Sequence, residues 1–385
     1  MSLRTSLRRI SALAPILALA ALSTACGSGA VSHTFDTVDG GDTDADPFAD
    51  PDASFKGGDG AVPPPVCKPD PGNYDVPGNN CDDDGDGQID NVASCDGSLA
   101  VAGPAADFAK AIGLCKGLLS ATYTQGFGSN KAPDANQHGI LPKFGNKLKP
   151  REGATMGALS SGWAREYDQC IGQGPFLGGC PMTGSGTAPP GYPKPAGSCP
   201  VDTSVNDVAS VRLVIKVPNN AKGVAFDFNF FSGEWPQWVC TNFNDAFIAY
   251  LKSTAFNSGK ADNISFDAKN NPVSVNNGFF DRCSPANATV GCAGGAGSKS
   301  ACAGGSGDLQ GTGFYAPGSH CGQQDSGGGA TGWLTTKAPV APGETITLEF
   351  MVWDTGDQAY DSSVLIDNFM WQGSDTTVGT FRPPT

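Results

Sequence analysis

Three stretches of this chain alternate apolar and polar residues with a period of two, and nothing else in the sequence restricts the fold as strongly. Val211, Leu213, Ile215 and Val217 alternate with Arg212 and Lys216. Phe226, Phe228 and Phe230 alternate with Asp227 and Asn229, and Ile346, Leu348, Phe350 and Val352 with Thr347, Glu349 and Met351. Successive side chains of a strand point to opposite faces, so each stretch predicts a half-buried antiparallel strand. From about Ser120 onward such segments are separated by Gly, Pro and Asn with no helical pattern between them. The expected fold class is therefore mainly β, an antiparallel β-sandwich or jelly-roll-like domain with one or two short helices. The strongest helix candidate is Ala105–Leu119, where Phe108, Ile112, Cys115 and Leu119 recur at helical spacing.

The cysteines and the N-terminus point to export. Arg4, Arg8 and Arg9 precede a short apolar run from Ile10 to Leu22, then Ser23, Thr24, Ala25 and Cys26. A basic start, a short apolar run and small residues at the cut form a secretory signal, here 1–25. The run is shorter than the roughly 20 residues of a membrane-spanning helix, and Pro15 interrupts it. Leu22-Ser-Thr-Ala-Cys26 resembles a bacterial lipobox, with Ser23 where Leu is usual. Cleavage after Ala25 by an ordinary signal peptidase is the alternative. The chain has 13 cysteines, and lipidating Cys26 leaves an even set: Cys67, Cys81, Cys95, Cys115, Cys170, Cys180, Cys199, Cys240, Cys283, Cys292, Cys302 and Cys321. In an oxidising compartment these are expected to form disulfides. None has the C-x-x-C spacing of a zinc or redox motif, and there are only 3 His.

The formal charge of −14 excludes nucleic acid as an expected partner, because nucleic-acid binding needs basic patches. Residues 26–66 carry eight Asp, with Lys56 the only Lys or Arg, amid Gly, Ala, Pro and Thr. Too little apolar area is present to offset ordering entropy, so this segment is expected to be a disordered acidic tether. The expected organisation continues with a Cys-bracketed acidic loop at 67–96, a β-sandwich at 97–375 and a tail at 376–385. The segment from Cys283 to Gly329 is rich in Gly, Ser and Ala and is expected to be a long loop stapled by disulfides.

The acidic loop carries the sharpest chemical signal. Asp82, Asp84 and Asp86 occupy positions 1, 3 and 5 of an EF-hand-like calcium loop. Gly87 takes the turn, Gln88 the backbone-carbonyl position and Asp90 the ninth. Alternate carboxylates before a glycine turn can wrap six to eight hard oxygens around calcium. The twelfth position is Ala93 rather than a bidentate Glu, so the loop is not a complete EF-hand, and a solvated acidic turn is the alternative. A Cys81–Cys95 bridge is expected to hold its ends together. The stretch from Val76 to Asp96 resembles the Cys/Asp metal-binding repeats of myxobacterial surface proteins. That resemblance implies copper, yet no His, Met or free thiolate stands here to favour it, and calcium is the expected cofactor.

A second constellation is Ser232-Gly-Glu-Trp-Pro-Gln-Trp238 followed by Phe243-Asn-Asp-Ala-Phe247. It resembles the S-E-E-Y-P-E-Y … F-N-D-x-F signature of choice-of-anchor L domains. Gly157–Gly162, Pro272–Asn277 and Asp354–Asp367 resemble further elements of that family in the right order. The second of these corresponds to a central strand and the third to the closing strand. Gly233 replaces one acidic residue of the signature, and Trp replaces Tyr twice. The resemblance implies a secreted or surface domain without established catalysis. Glu234, Asn244, Asp245, Asp354, Asp357 and Asp361 are oxygen-bearing residues expected in turns beside strands, and they are candidates for a second metal. The alternative is a set of Asx turns and strand-end hydrogen bonds. Trp235 and Trp238 are candidates for stacking on a sugar ring or for covering the core.

Catalytic arrangements are weak. The histidines are His33, His138 and His320, and no G-x-S-x-G elbow surrounds any Ser. No catalytic residue is assigned, and the chain is expected not to be an enzyme. The expected function is a calcium-stabilised binding or adhesion module on an outer-membrane or cell-surface lipoprotein. Its partners would be the membrane, through the lipid, and a surface glycan or another surface protein. The alternative is a secreted glycan-active hydrolase with a jelly-roll core, using paired carboxylates such as Glu234 and Glu349.

Overall fold

The alternating segments become strands of two antiparallel sheets that share one hydrophobic core. The computed structural model describes residues 67–92, 94–165, 182–277, 279–283, 287–292, 298–315 and 327–383. The expected leader, Cys26, the tether, Ala93, Cys170, Cys180 and Cys321 lie outside the described residues.

Helix α1 (Ala105–Ala111) precedes β1 (Leu118–Thr124), β2 (His138–Leu141) and β3 (Met156–Ser160). Then come β4 (Val205–Lys216), β5 (Gly223–Ser232), β6 (Ala246–Lys252), β7 (Asp262–Asn263), β8 (Val273–Ser274) and β9 (Arg282–Cys283). The chain continues through β10 (Asn287–Val290), β11 (Ser298–Ala301), β12 (Gly329–Ala330) and β13 (Leu334–Pro339). It closes with β14 (Thr345–Thr355), β15 (Ser362–Gln372) and β16 (Gly379–Phe381). One sheet runs β1-β4-β14-β6-β7, with β8 also on β6. The other runs β16-β13-β5-β15-β3-β2, with β12 bridging β5 and β9.

The core lies between the sheets. Val211, Leu213 and Ile215 of β4 and Leu348 and Phe350 of β14 meet Phe226, Phe228 and Phe230 of β5. Ring centroids stand 4.8 Å apart for both Phe226–Phe350 and Phe228–Phe247. β4 follows the half-buried expectation, with Arg212 turned away from the core.

β5 does not follow it, because all ten of its residues are buried. Its second face carries Phe231, which packs with Phe144, Phe314, Ala330 and Leu365 in a separate cluster. Chain segments that look like polar loops in sequence cover this face. Met351, expected on the outward face of β14, is also buried. It packs with Trp353, Ile248 and Val208 under Phe127 and Tyr192.

Four further expectations are corrected. The helix stops at Ala111 rather than Leu119. Gly113 and Gly117 both take φ near +89°, and a Cβ on Gly117 would lie 2.3 Å from the Lys216 carbonyl oxygen. Gly113 closes the helix in a left-handed turn, its N–H donating to the Lys110 carbonyl and that of Leu114 to the Ala109 carbonyl, and beyond Gly117 the chain enters β1 with Leu118 and Leu119. Pro272–Asn277 is no central strand. Only Val273 and Ser274 pair with β6, at its margin, and Pro272 makes an isolated bridge to Phe266; Asn277 turns back, its N–H donating to the Ser274 carbonyl and its Nδ2 to that of Pro272. The Cys283–Gly329 segment is not merely a stapled loop, since it contains the β10–β11 hairpin and the strand β12. A Cys283–Cys302 bridge spans the hairpin. Finally, Cys81 and Cys95 do not pair with each other. Cys67–Cys81 closes the acidic loop's leading half, and Cys95–Cys115 ties its far end to the chain beyond α1. Cys199–Cys240 is a further bridge, and Cys292 is disulfide-bonded as well.

Two-faced burial of β5 has a direct test. Phe231→Ala should cost about 3–5 kcal/mol in denaturant unfolding, as much as Phe228→Ala on the opposite face. A loss below about 0.5 kcal/mol for Phe231→Ala would match an exposed position instead.

Candidate functional sites

Two acidic clusters stand out, one in the N-terminal loop and one at an end of the sandwich. In the loop, oxygens of Asp75, Asp82, Asp84 and Asp86 all lie within 4.8 Å of one another. The loop folds around its own amides. Asp82 accepts from the N–H groups of Gly85, Asp86 and Gly87, at 2.7, 3.1 and 3.0 Å. Asp75, 5% exposed, accepts from the N–H groups of Asp83, Asp84 and Asn91. Asp86 is held below the usual carboxylate range, first by the Gln88 N–H and then by the Asn91 side chain. The only nearby cation bonded to the cluster among the described residues is Lys116, whose Nζ lies 2.9 Å from Asp84 Oδ2. The Oδ1 of Asn91 is buried without a hydrogen-bond partner among the described residues.

The expected ligand set is thus corrected in one place. Asp90 turns away from the cluster and accepts from the N–H groups of Asn79 and Asn80. Gln88, expected through its backbone carbonyl, donates its side-chain amide to Asp86 Oδ2. Asp75 takes the fourth place. It precedes Asp82 by seven residues, outside any loop spacing, and only the Cys67–Cys81 fold-back brings it in. The donor set of clustered carboxylates is hard and suits calcium, while Asn91 turns its side-chain N–H to Asp86 Oδ2 at 2.9 Å. This loop also lines a cavity of about 330 Å³ shared with Lys116, Phe369 and Trp371.

The second cluster gathers residues from six strand ends. Glu234 follows β5, Asp245 precedes β6, Asp354 lies on β14 and Asp361 precedes β15. All are buried, at 2, 0, 2 and 8% exposure. Gly162, just after β3, approaches Asp361 so closely that a Cβ there would lie 2.2 Å from Oδ2. Asp207 of β4 adds its field to Asp361. Asp245 is positioned by the Thr355 N–H at 3.0 Å and the Ser362 hydroxyl at 2.7 Å. Its own N–H faces Glu234 Oε2 at 3.4 Å. Asp354 differs: both carboxylate oxygens are buried with no hydrogen-bond partner among the described residues. No Lys, Arg or His forms an ion pair with any of the four among the described residues.

Two residues expected in this site stand apart. Asn244 spends its side-chain oxygen on the Asn276 N–H. Asp357 is exposed at the rim and makes an Asx-type bond to the Ala359 N–H. Trp235 is a core residue stacked on Phe280, and Trp238 is half-buried against Phe243 and Tyr360.

Elsewhere two buried acids have a basic partner, while Asp367 and Asp207 are met by backbone amides alone. Arg151 pairs with Asp227, and Arg212 with Glu349 at 3.1 Å. Glu349 also accepts from the Ser210 hydroxyl at 3.1 Å. Glu234 and Glu349 therefore belong to different constellations.

Residues 202–370 match the model of the Choice-of-anchor L domain. The chain carries a choice-of-anchor L domain. No curated protein and no solved structure matches the chain. The matched segment holds β4 to most of β15, while β1–β3 and β16 complete the two sheets from outside it. Choice-of-anchor domains belong to surface-associated proteins, and no helix among the described residues is long and apolar enough to cross a membrane.

Burial first, and then repulsion from neighbouring acids, holds Glu234, Asp354 and Asp361 well above the usual carboxylate range. Burial does the same to Asp245. The folded state then keeps protons that the unfolded chain gives up above about pH 4, so stability falls as pH rises from there toward neutral. Each such carboxyl contributes up to about 1.4 kcal/mol per pH unit. His138, pushed down to about 4 by burial and then by Arg165, acts in the opposite sense, because its stabilisation is lost as pH falls through the ordinary imidazole range. Melting temperatures in chelator should therefore decline between pH 6.5 and 8, above the His138 range. Asp354→Asn should flatten that decline; an unchanged slope would contradict it.

Proposed function

We propose that the chain is an exported lipoprotein, held at the outer membrane through acylated Cys26, whose choice-of-anchor L sandwich binds a surface glycan and whose N-terminal loop is stabilised by calcium. The observation that carries the calcium part is the convergence of Asp75, Asp82, Asp84 and Asp86 within 4.8 Å. The signal-like 1–25 segment, the odd cysteine count and the disulfides support export. In the loop, Asp82 and Asp75 are already oriented by backbone amides, and calcium would supply the charge that Lys116 provides only to Asp84.

The groove on the outer face of the β1-β4-β14-β6-β7 sheet is the surface suited to the glycan. It encloses about 570 Å³ and is lined by Phe127, Arg212, Tyr250, Lys252, Lys260 and Glu349. Arg212 and Tyr250 both face Glu349 across the ladder. Phe127 meets Tyr250 edge to face at 5.5 Å. An aromatic wall with three cationic side chains, in a chain of charge −14, favours sugars that carry hydroxyl and acidic groups. Glu349, locked to Arg212, serves as an acceptor there rather than one of a hydrolytic pair.

Millimolar calcium should raise the melting temperature more than magnesium does, in keeping with a loop Kd of about 10⁻⁴–10⁻³ M. At a hundredfold excess over Kd the stabilisation is about 2.7 kcal/mol. Asp82→Asn with Asp86→Asn should remove the loop's share of the shift, and Lys116→Gln should tighten loop binding by roughly two- to fivefold, the worth of an exposed ion pair. A shift unchanged in the double variant would exclude the loop.

A glycan array run with a reducing-sugar assay separates binding from hydrolysis. Binding without sugar release, lost on Lys252→Glu and Tyr250→Ala, is expected; released reducing ends would favour the hydrolase. Cys26→Ala should move the protein from the membrane pellet to the soluble fraction without changing its melting temperature, and retention in the pellet would sink the anchor.

A further inference from the structure

We propose that Glu234, Asp245, Asp354 and Asp361 form a buried divalent-cation site of the calcium class, independent of the loop at Asp82. Four carboxylates from the ends of four strands are brought together at one end of the sandwich, all at least nine-tenths buried. A buried ionised carboxylate is tolerated only when paired, hydrogen-bonded, protonated or bound to metal. Pairing is absent among the described residues. Hydrogen bonding serves Asp245 through two donors, whereas Asp354, which faces Asp245 and Asp361, has no donor in good hydrogen-bond geometry and only the Ser161 and Asp245 side chains near enough to act on it.

A single proton answers poorly for the cluster as a whole. Shared between Asp354 and Asp245, with the Ser161 hydroxyl beside Asp354, it relieves one charge and leaves Glu234 and Asp361 buried against the pair. A cation satisfies both oxygens of Asp354 and lowers the mutual repulsion of the other three. All the available donors are oxygens, which suits calcium better than the nitrogen- and sulfur-seeking metals. Magnesium keeps several waters in an octahedral shell, for which a carboxylate-crowded interior is ill suited.

The surrounding frame fits a built site. Gly162 leaves no room for a side chain beside Asp361. The Gly233 N–H donates to the Asp361 carbonyl at 3.0 Å, and the Ser161 N–H to that of Ser362 at 2.9 Å, so the ends of β5 and β3, the two strands that flank β15 in its sheet, fix the turn that presents Asp361. Asp357 and Asp207 are the remaining acids that act on the cluster. Asp357, exposed at the rim, gives an approaching cation a negative approach.

The test uses full-length protein stripped with chelator and titrated with calcium or magnesium at pH 7 in a calorimeter. The Asp82→Asn/Asp86→Asn variant should retain one calcium site, and adding Asp354→Asn to it should weaken that site at least tenfold. Asp354→Asn alone should keep the loop response and, in chelator at pH 7, melt no lower than the parent, because a buried charge has been removed. If that variant fails to fold, Asp361→Asn in the same background takes its place. No calcium heat in the loop variant, with a melting temperature insensitive to calcium, would mean that the cluster holds protons and would overturn the proposal. Failure of the loop alone would leave one intact site in the parent and in the loop variant alike.

Discussion

Burial of β5 on both faces is the constraint from which the rest of the architecture follows. A strand with water on one side can carry its acidic residues outward. Here Asp227 sits in the interior with Phe231 and Asn229, and each buried charge must find a partner. Arg151 answers Asp227, while Arg212 and two hydroxyls answer Glu349. Asp96, pushed upward by burial, is brought below its ordinary range by the amides of Ala154 and Thr155 and the hydroxyls of Thr155 and Ser94. The end of the sandwich departs from this pattern, because four acids meet there without a base among the described residues.

The two-sheet architecture was legible because its signal is local. Val211, Leu213 and Ile215 alternate and become a half-buried strand. What covered the second face of β5 was not legible, since the cover comes from irregular segments around Phe144 and Phe314, whose sequence looks like loop. Met351 reads as outward by alternation and is covered by Phe127 and Tyr192 from distant positions. The apolar helical spacing runs on through Cys115 past the end of α1, and the feature that outweighs it is the left-handed turn at Gly113.

The sites show the same division. Asp82, Asp84 and Asp86 share a short loop whose spacing is readable. Asp75 was missed because the Cys67–Cys81 fold-back, rather than spacing, places it. Glu234, Asp245, Asp354 and Asp361 could be recognised only as acids at predicted strand ends. Their convergence depends on antiparallel register in both sheets, which pairs Ser362 with Ser232 and Trp353 with Ala246. Asn244 and Asp357 passed the same sequence filter, and the backbone claims them for strand-end bonds.

Elemental mass spectrometry of the intact protein, purified without chelator and dialysed into metal-free buffer at pH 7, tests the central claim most directly. Buried carboxylates without a base should retain calcium that the weaker loop gives up, about one ion per chain, and Asp354→Asn should retain none. A folded wild-type protein free of calcium and every other divalent metal would contradict the account.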